Sequence, residues 1–416
     1  MNPVAQKITS EIRANGAISF ARFMDLALYC PVYGYYEKEA DTVGRRGDYY
    51  TSVSVGNLFG ELLACQFADW LEECPKSGGR CPEPVPREAE AAGTASEVQL
   101  VEAGAHCGDL ARDILAWLRR RRPALFQRLS YWILEPSERR QGWQQRTLAE
   151  FAPRVRWAKG FDHLAMPAGR PATSGVTPSA EARVRGVIFA NELLDAFPVH
   201  RLGWDAQRGA WFEWGVTLEG ERLVWTRLEN PVRVSGPAAC PSEWLPDQHA
   251  VAGGLPGTDP ELPSLAEVLP EGFTIEVCPA AMEWWRSAAR VLRCGRLLTF
   301  DYGLSAGELL APERRHGTLR SYRDHQPADD PLASPGLQDL TAHVDFTSLQ
   351  AAGEAAGLTT ETRLAQAQFL TGIAARIWRE PSQFGQWGQK QTRQFLTLTH
   401  PEHLGRAFRV LVQNKF

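Results

Sequence analysis

Apolar residues in this chain fall into short runs separated by stretches of helical spacing. Val98-Gln99-Leu100-Val101 is the clearest run and predicts a buried strand. Leu110, Ile114, Leu115 and Leu118 then recur three and four apart, which predicts a helix with one apolar face. Arg119 to Arg122 suit the negative end of its dipole, and Pro123 ends it. Further strands are expected at Ser130–Glu135, Val155–Gly160, Val187–Ala190, Thr274–Val277 and Gly295–Asp301. Helices are expected at Pro279–Arg293, Thr347–Ala356, Phe369–Trp378 and Gln383–Leu396, with Arg409–Val412 as a closing edge strand. Strands alternating with helices predict an α/β protein with a parallel sheet.

Other stretches depart from that alternation. Ile18–Leu28 reads as a helix capped by Ser19 and broken at Pro31, and Ser54–Asp69 as another. Tyr29, Tyr33, Tyr35 and Tyr36 crowd around Gly34, as a packed lid or an aromatic pocket wall. His200–Arg227 alternates apolar and polar residues and carries Trp204, Trp211, Trp214 and Trp225, which predicts an antiparallel hairpin or meander. These tryptophans suit core packing or a contact surface. Leu309–Pro335 is polar and reads as a long functional loop.

Pro-, Gly- and Ser-rich stretches divide the chain. The expected segments are a helical N-terminal segment over the ligand face (1–75), a linker (76–97) and a first core part (98–202). An inserted hairpin and irregular region (203–272) and a second core part (273–416) with a long loop (304–338) follow. At 44% hydrophobic and 23% charged, composition is that of a globular protein. A net charge of −4 gives no reason to expect a nucleic-acid partner. No apolar run approaches membrane-spanning length, and residues 1–16 lack a signal core. The eight cysteines form no C-x-x-C pair, and their scatter fits a reducing cytoplasm, the expected location. No metal site is expected.

The candidate chemistry lies at strand ends. Glu102-x-Gly104-x-His106-x-Gly108 joins the first strand to its helix, where backbone N–H groups can meet a ligand. A dinucleotide site would read G-x-G-x-x-G. The spacing here is closer to the E-x-G-x-G-x-G of class I methyltransferases, with His106 at the middle glycine. Glu135 ends the second strand, where a carboxylate can accept from both hydroxyls of a ribose. Phe161 and Asp162 follow the third, suited to a base and its exocyclic amine. Asn191, Glu192 and Asp195 follow the fourth, and Asp301 ends a later one. Thr51 and Ser52 suit either a helix cap or the polar end of a ligand.

Several stretches together resemble the MidA-like family, which includes the mitochondrial complex I assembly methyltransferase. They are ISFARFMDLALYCPVYGYYE (18–37), GDYYTSVSVGNLFGE (47–61), Glu102–Leu115, ANELLDAFP (190–198), FDYG (300–303), GTLRSY (317–322) and DLTAHVDF (339–346). The chain departs from the family pattern at His106, at Val53-Ser54 where Pro-Glu is usual, and at Ala367 where glycine is usual.

The resemblance implies a seven-stranded class I methyltransferase core, Rossmann-like, with S-adenosyl-L-methionine as donor. Gly104 and Gly108 match its glycine loop, Glu135 its ribose acid, Thr51 and Ser52 its donor-site segment, and Asn191, Glu192 and Asp195 its ANE-x-x-DA-x-P loop. It also implies an arginine acceptor on a protein, a respiratory complex I type subunit. Carboxylates pair well with a planar guanidinium, which makes Glu192 and Asp195, with Asp301 behind them, the expected acceptor-handling groups. Two rival readings are a non-catalytic assembly factor on the same fold and a small-molecule methyltransferase. The expected oligomeric state is a monomer or a homodimer.

Overall fold

The computed structural model describes residues 2–38, 51–73, 97–165, 184–228, 268–323, 326–402 and 404–416. The linker up to residue 96, the Gly47–Tyr50 stretch, the loop expected at Pro167–Glu181, residues 229–267 and His325 lie outside them. The chain divides into two units.

One unit comprises Tyr50–Leu193, Trp284–Asp301 and Gln350–Phe416. Its sheet uses β1 (Val98–Ala103), β2 (Leu129–Leu134), β3 (Val155–Ala158), β4 (Val184–Asn191), β5 (Leu292–Leu304), β6 (Thr359–Ala365) and β7 (Phe408–Lys415). The order is β6-β7-β5-β4-β1-β2-β3. Pairs β1/β2, β2/β3, β1/β4 and β4/β5 are parallel, and β6 runs antiparallel to β7. This is the class I order, a doubly wound sheet that reverses direction beside β1 and so opens a crevice at its C-terminal edge. Gly186 and Gly295 face each other in the β4/β5 register. A Cβ on Gly295 would lie 1.8 Å from the Gly186 carbonyl, so only glycine lets these strands approach.

Helix α1 (Leu58–Glu73) is buried almost all round. It packs on the sheet through Phe59 against Phe300 and Phe67 against Phe189, with ring centroids 5.4 and 5.0 Å apart. Each such phenylalanine contributes roughly 1.5–3 kcal/mol by burial. Gly60 lets α1 approach α2 (Asp109–Arg121): a Cβ there would come within 2.7 Å of Asp113. Arg119, Arg120 and Arg121 occupy the last turn of α2.

The other unit comprises Met1–Tyr49, Leu194–Glu283 and Tyr302–Leu349. Two helices open it, Pro3–Asn15 and Phe20–Tyr29. Ser19 Oγ accepts from the Arg22 N–H at 3.1 Å, the cap its position predicts. A five-stranded antiparallel sheet follows, Ala210–Glu219 pairing with Ile18–Ser19, His200–Asp205 and Arg222–Arg227, and Thr274–Val277 pairing with His200–Asp205. Its tryptophans pack internally. Trp204 meets Trp211 edge-on at 5.2 Å, and Trp225 lies 4.9 Å from Phe20. That is the core-packing alternative for both pairs.

Three expectations need correction. Leu309–Pro335 is not one loop: Arg320–Arg323 pairs with Gln326–Pro327 and with Asp339–Thr341 in a small sheet. Its polar side chains hid the strands because the pairing is made by backbone groups. Arg409–Val412 belongs to β7, which lies inside the sheet between β5 and β6. The edge strand is β6, whose sequence TTETRLA has no apolar alternation because its side chains are exposed or half-buried. The helix expected at Gln383–Leu396 breaks at Gly385 and resumes as Gln389–Thr399.

Candidate functional site

The C-terminal edge of the seven-stranded sheet collects the sequence-selected residues of that unit. β1 ends in Glu102 and Ala103, and the chain turns through three left-handed residues, Gly104 (φ 75°), His106 (φ 44°) and Gly108 (φ 87°). Gly108 is the N-cap of α2, so the first N–H groups of that helix face the end of the strand. A Cβ on Gly104 would press to 2.9 Å of the Leu193 side chain. His106 holds the same backbone conformation as the glycines at some cost in strain. Its carbonyl accepts from Gln144 Nε2 at 3.0 Å.

Glu102 is 2% exposed, and its carboxylate accepts from the Tyr131 hydroxyl at 2.7 Å. Burial pushes its pKa up to about 7, and the tyrosine hydrogen bond opposes that rise. The unfolded chain releases this proton near the ordinary 4.5, whereas the folded chain keeps it to about 7. Stability from this group is therefore present below the unfolded value and falls by about 3 kcal/mol as pH rises through the folded one. Thermal unfolding of Glu102→Gln should lack that loss between about pH 4.5 and 7. An unchanged pH slope in the variant would place the titration elsewhere.

Glu135, directly after β2, is 1% exposed. Its Oε1 accepts from the Ser137 N–H at 2.9 Å, its Oε2 from Gln144 Nε2 at 3.2 Å, and Arg140 Nε stands 3.6 Å away. Gln144 is fully buried and links Glu135 to the glycine turn, and Trp157 Nε1 donates to its side-chain oxygen at 2.9 Å. The Glu135 carboxylate thus sits directly after β2, at the edge where the ligands of a doubly wound sheet bind. Asp162 is exposed on the short 3-10 turn Phe161–Ala165, where Phe161 packs on Trp284 at 5.4 Å.

The third part joins segments distant in sequence. Glu192 follows β4 in a left-handed conformation (φ 52°), and its N–H donates to the Phe300 carbonyl at 2.8 Å. Its Oε1 accepts from the Ser52 N–H and from Asn191 Nδ2, both at 3.1 Å. Ser52 Oγ donates to buried Gln366 at 3.1 Å. Thr51 and Ser54 lock their turn reciprocally: each backbone N–H donates to the other's hydroxyl, at 3.0 and 3.1 Å. Ser54 thus has a role here although it departs from the family's usual Glu. Fully buried Asp301 accepts from the Leu193 N–H at 3.2 Å and fixes the turn after Glu192.

In the other unit, Asp195 is buried, and its carbonyl accepts from the Ala342 N–H at 2.9 Å. Tyr29 donates its hydroxyl to the Ala196 carbonyl at 2.9 Å, and Tyr36 donates to buried Asp339 at 2.8 Å. These contacts tie the tyrosine cluster to the LDA turn and to the DLTAHVDF segment. Sequence reasoning missed Gln144, Tyr131 and Gln366 because nothing local marks them.

Comparison with known proteins decides the class. Residues 85–364 match the model of a family described as S-adenosyl-L-methionine-dependent methyltransferases. The chain belongs to that family. It is 28% identical over 371 residues to the human mitochondrial protein arginine methyltransferase NDUFAF7, covering 86% of this chain and 71% of that protein. It is 27% identical over 378 residues to the Drosophila melanogaster homologue, covering 85% and 70%. A Burkholderia thailandensis protein solved bound to S-adenosyl-homocysteine superposes with a TM-score of 0.72 at 28% identity, over 99% of this chain and 92% of that one. A native crystal structure of a protein from the same organism gives 0.69 at 26% identity, over 99% and 91%. This methyltransferase therefore has the class I fold and uses S-adenosylmethionine as donor. No helix among its described residues is long and apolar enough to cross a membrane.

Proposed function

We propose that the protein transfers a methyl group from S-adenosylmethionine to an arginine side chain of a protein substrate, of the respiratory complex I type that the family resemblance implies. The observation that carries this reading is the Glu192 carboxylate, held at the sheet's C-terminal edge by the Ser52 N–H and Asn191 Nδ2. Two relatives named as protein arginine methyltransferases add support. The donor supplies an electrophilic methyl on a positively charged sulfur. The residues supported as holding it are Gly104, His106 and Gly108 through the glycine turn, Glu102 beneath it, Glu135 at the ribose, Thr51 and Ser52, and Asp162 at the base. Gly104 and Gly108 let the turn pack closely, since a Cβ on Gly104 would press on Leu193 and one on Gly108 on Leu148.

The acceptor nitrogen attacks the methyl carbon in line, the carbon–sulfur bond breaks, and sulfur leaves with the electron pair as a neutral thioether. A guanidinium nitrogen must also lose a proton, since the group is charged at physiological pH. Glu192 is positioned to orient the guanidinium through charge-assisted hydrogen bonds and to take that proton. Asp195 is carried over to acceptor handling by the family resemblance alone, as part of the ANE-x-x-DA-x-P loop.

Incubation with methyl-labelled donor and a panel of arginine-, lysine- and carboxylate-presenting peptides tests this reading by mass spectrometry. Label on arginine is the expected result. Label confined to another nucleophile, or to small molecules, would contradict it.

A further inference from the structure

Asn191 carries an observation that the proposed chemistry does not use. Its side-chain oxygen, Oδ1, is buried and has no hydrogen-bond partner among the described residues. The direction of the amide is chemically fixed. Nδ2 donates to Glu192 Oε1 at 3.1 Å, and the same oxygen accepts the Ser52 N–H. Turning the amide over would set its oxygen against the carboxylate, acceptor against acceptor. Oδ1 must therefore point away from Glu192. A buried carbonyl oxygen without a donor is costly, and such groups call for a specific explanation.

The location supplies one. Asn191 is the last residue of β4, and Ala190 is in register with Ala103 of β1, so Asn191 stands level with Gly104 at the start of the glycine turn. On the other side, it is in register with Phe300 of β5, whose carbonyl accepts the Glu192 N–H. Oδ1 thus lies at the sheet edge where the ligands of a doubly wound fold bind. It can only accept, and the Glu192 carboxylate holds the other end of the same amide. An N–H donor satisfies the oxygen, and a positive charge on that donor suits the field of the nearby carboxylate.

We infer that Asn191 Oδ1 receives a hydrogen bond from a cationic N–H group of the bound reactants, which makes Asn191 a binding residue rather than an acid or base. Two sources share that chemistry, the α-ammonium of the methyl donor and the guanidinium of the acceptor. Only the second rests on the arginine reading.

The test uses the full chain with Asn191→Leu, which keeps the volume and removes both polar atoms. Calorimetry is run with S-adenosylhomocysteine and with 5′-methylthioadenosine, which has the nucleoside and thioether but no ammonium. If the ammonium is the partner, affinity for S-adenosylhomocysteine falls about tenfold or more and methylthioadenosine binding stays within about twofold. If the guanidinium is the partner, S-adenosylhomocysteine binding is unchanged. A Gly-Arg-Gly peptide then binds the S-adenosylhomocysteine-loaded variant about tenfold more weakly than the loaded wild type. Either result upholds the inference. Loss of S-adenosylhomocysteine affinity, with no peptide binding to the wild type, would uphold it and count against the arginine reading instead. Unchanged affinity for every probe overturns it. The ligand-free melting temperature separates binding from folding. A binding role lets it fall by no more than about 5 °C, because the one protein bond lost is that from Nδ2 to Glu192, whereas a larger drop with uniform loss of all ligands marks a structural role and also overturns the inference.

Discussion

Replacing Glu192 by glutamine is expected to lower the rate of methyl transfer about a thousandfold while leaving S-adenosylhomocysteine affinity within about threefold of wild type. Glutamine keeps the shape, and its carbonyl oxygen can still accept from the Ser52 N–H and Asn191 Nδ2, which both meet Oε1. The left-handed backbone at residue 192 is equally demanding for either side chain. What glutamine cannot supply is negative charge for the guanidinium or a site for its proton. Single-turnover rates measured alongside calorimetric affinity separate these effects. Equal loss of both would move Glu192 into the donor site.

The second large effect is expected on binding. Glu135→Ala should weaken S-adenosylhomocysteine binding about a hundredfold, the loss of two charge-assisted hydrogen bonds to ribose hydroxyls. The change also removes the acceptor for Ser137 N–H and Gln144 Nε2, so the variant's unfolding must be recorded with its affinity. Gln144→Ala is the control. It breaks the link between Glu135 and the glycine turn without removing the carboxylate, and should cost less affinity than Glu135→Ala. Unchanged affinity in Glu135→Ala would remove this residue from the donor site.

Much of the fold was legible in the chain because its central strands are short apolar runs. Val98–Ala103 and Val184–Asn191 extend their expected runs by a few residues, and Leu129–Leu134 is the expected strand shifted by one. The strand β6 was not legible, since Thr359–Ala365 has no buried face to leave an alternation. The site divides the same way. Glu102, Gly104, Gly108 and Glu135 mark themselves by lying at strand ends, in the pattern of a known family. The union of Ser52 with Glu192 spans 140 residues and has no local signature. The left-handed backbone at Glu192 was equally invisible, because sequence flags that conformation through glycine. Gln144 reads as one polar residue among several on its helix, and only tertiary contact shows it joining the glycine turn, Glu135 and Trp157.

The central claim is that the edge formed by the glycine turn, Glu135 and the Glu192 turn binds the methyl donor. Calorimetric titration of the purified chain with S-adenosylhomocysteine tests it most directly. The account predicts one site with micromolar affinity, lost in Glu135→Ala and retained in Glu192→Gln. A folded wild-type protein that takes up no ligand at millimolar concentration would contradict it.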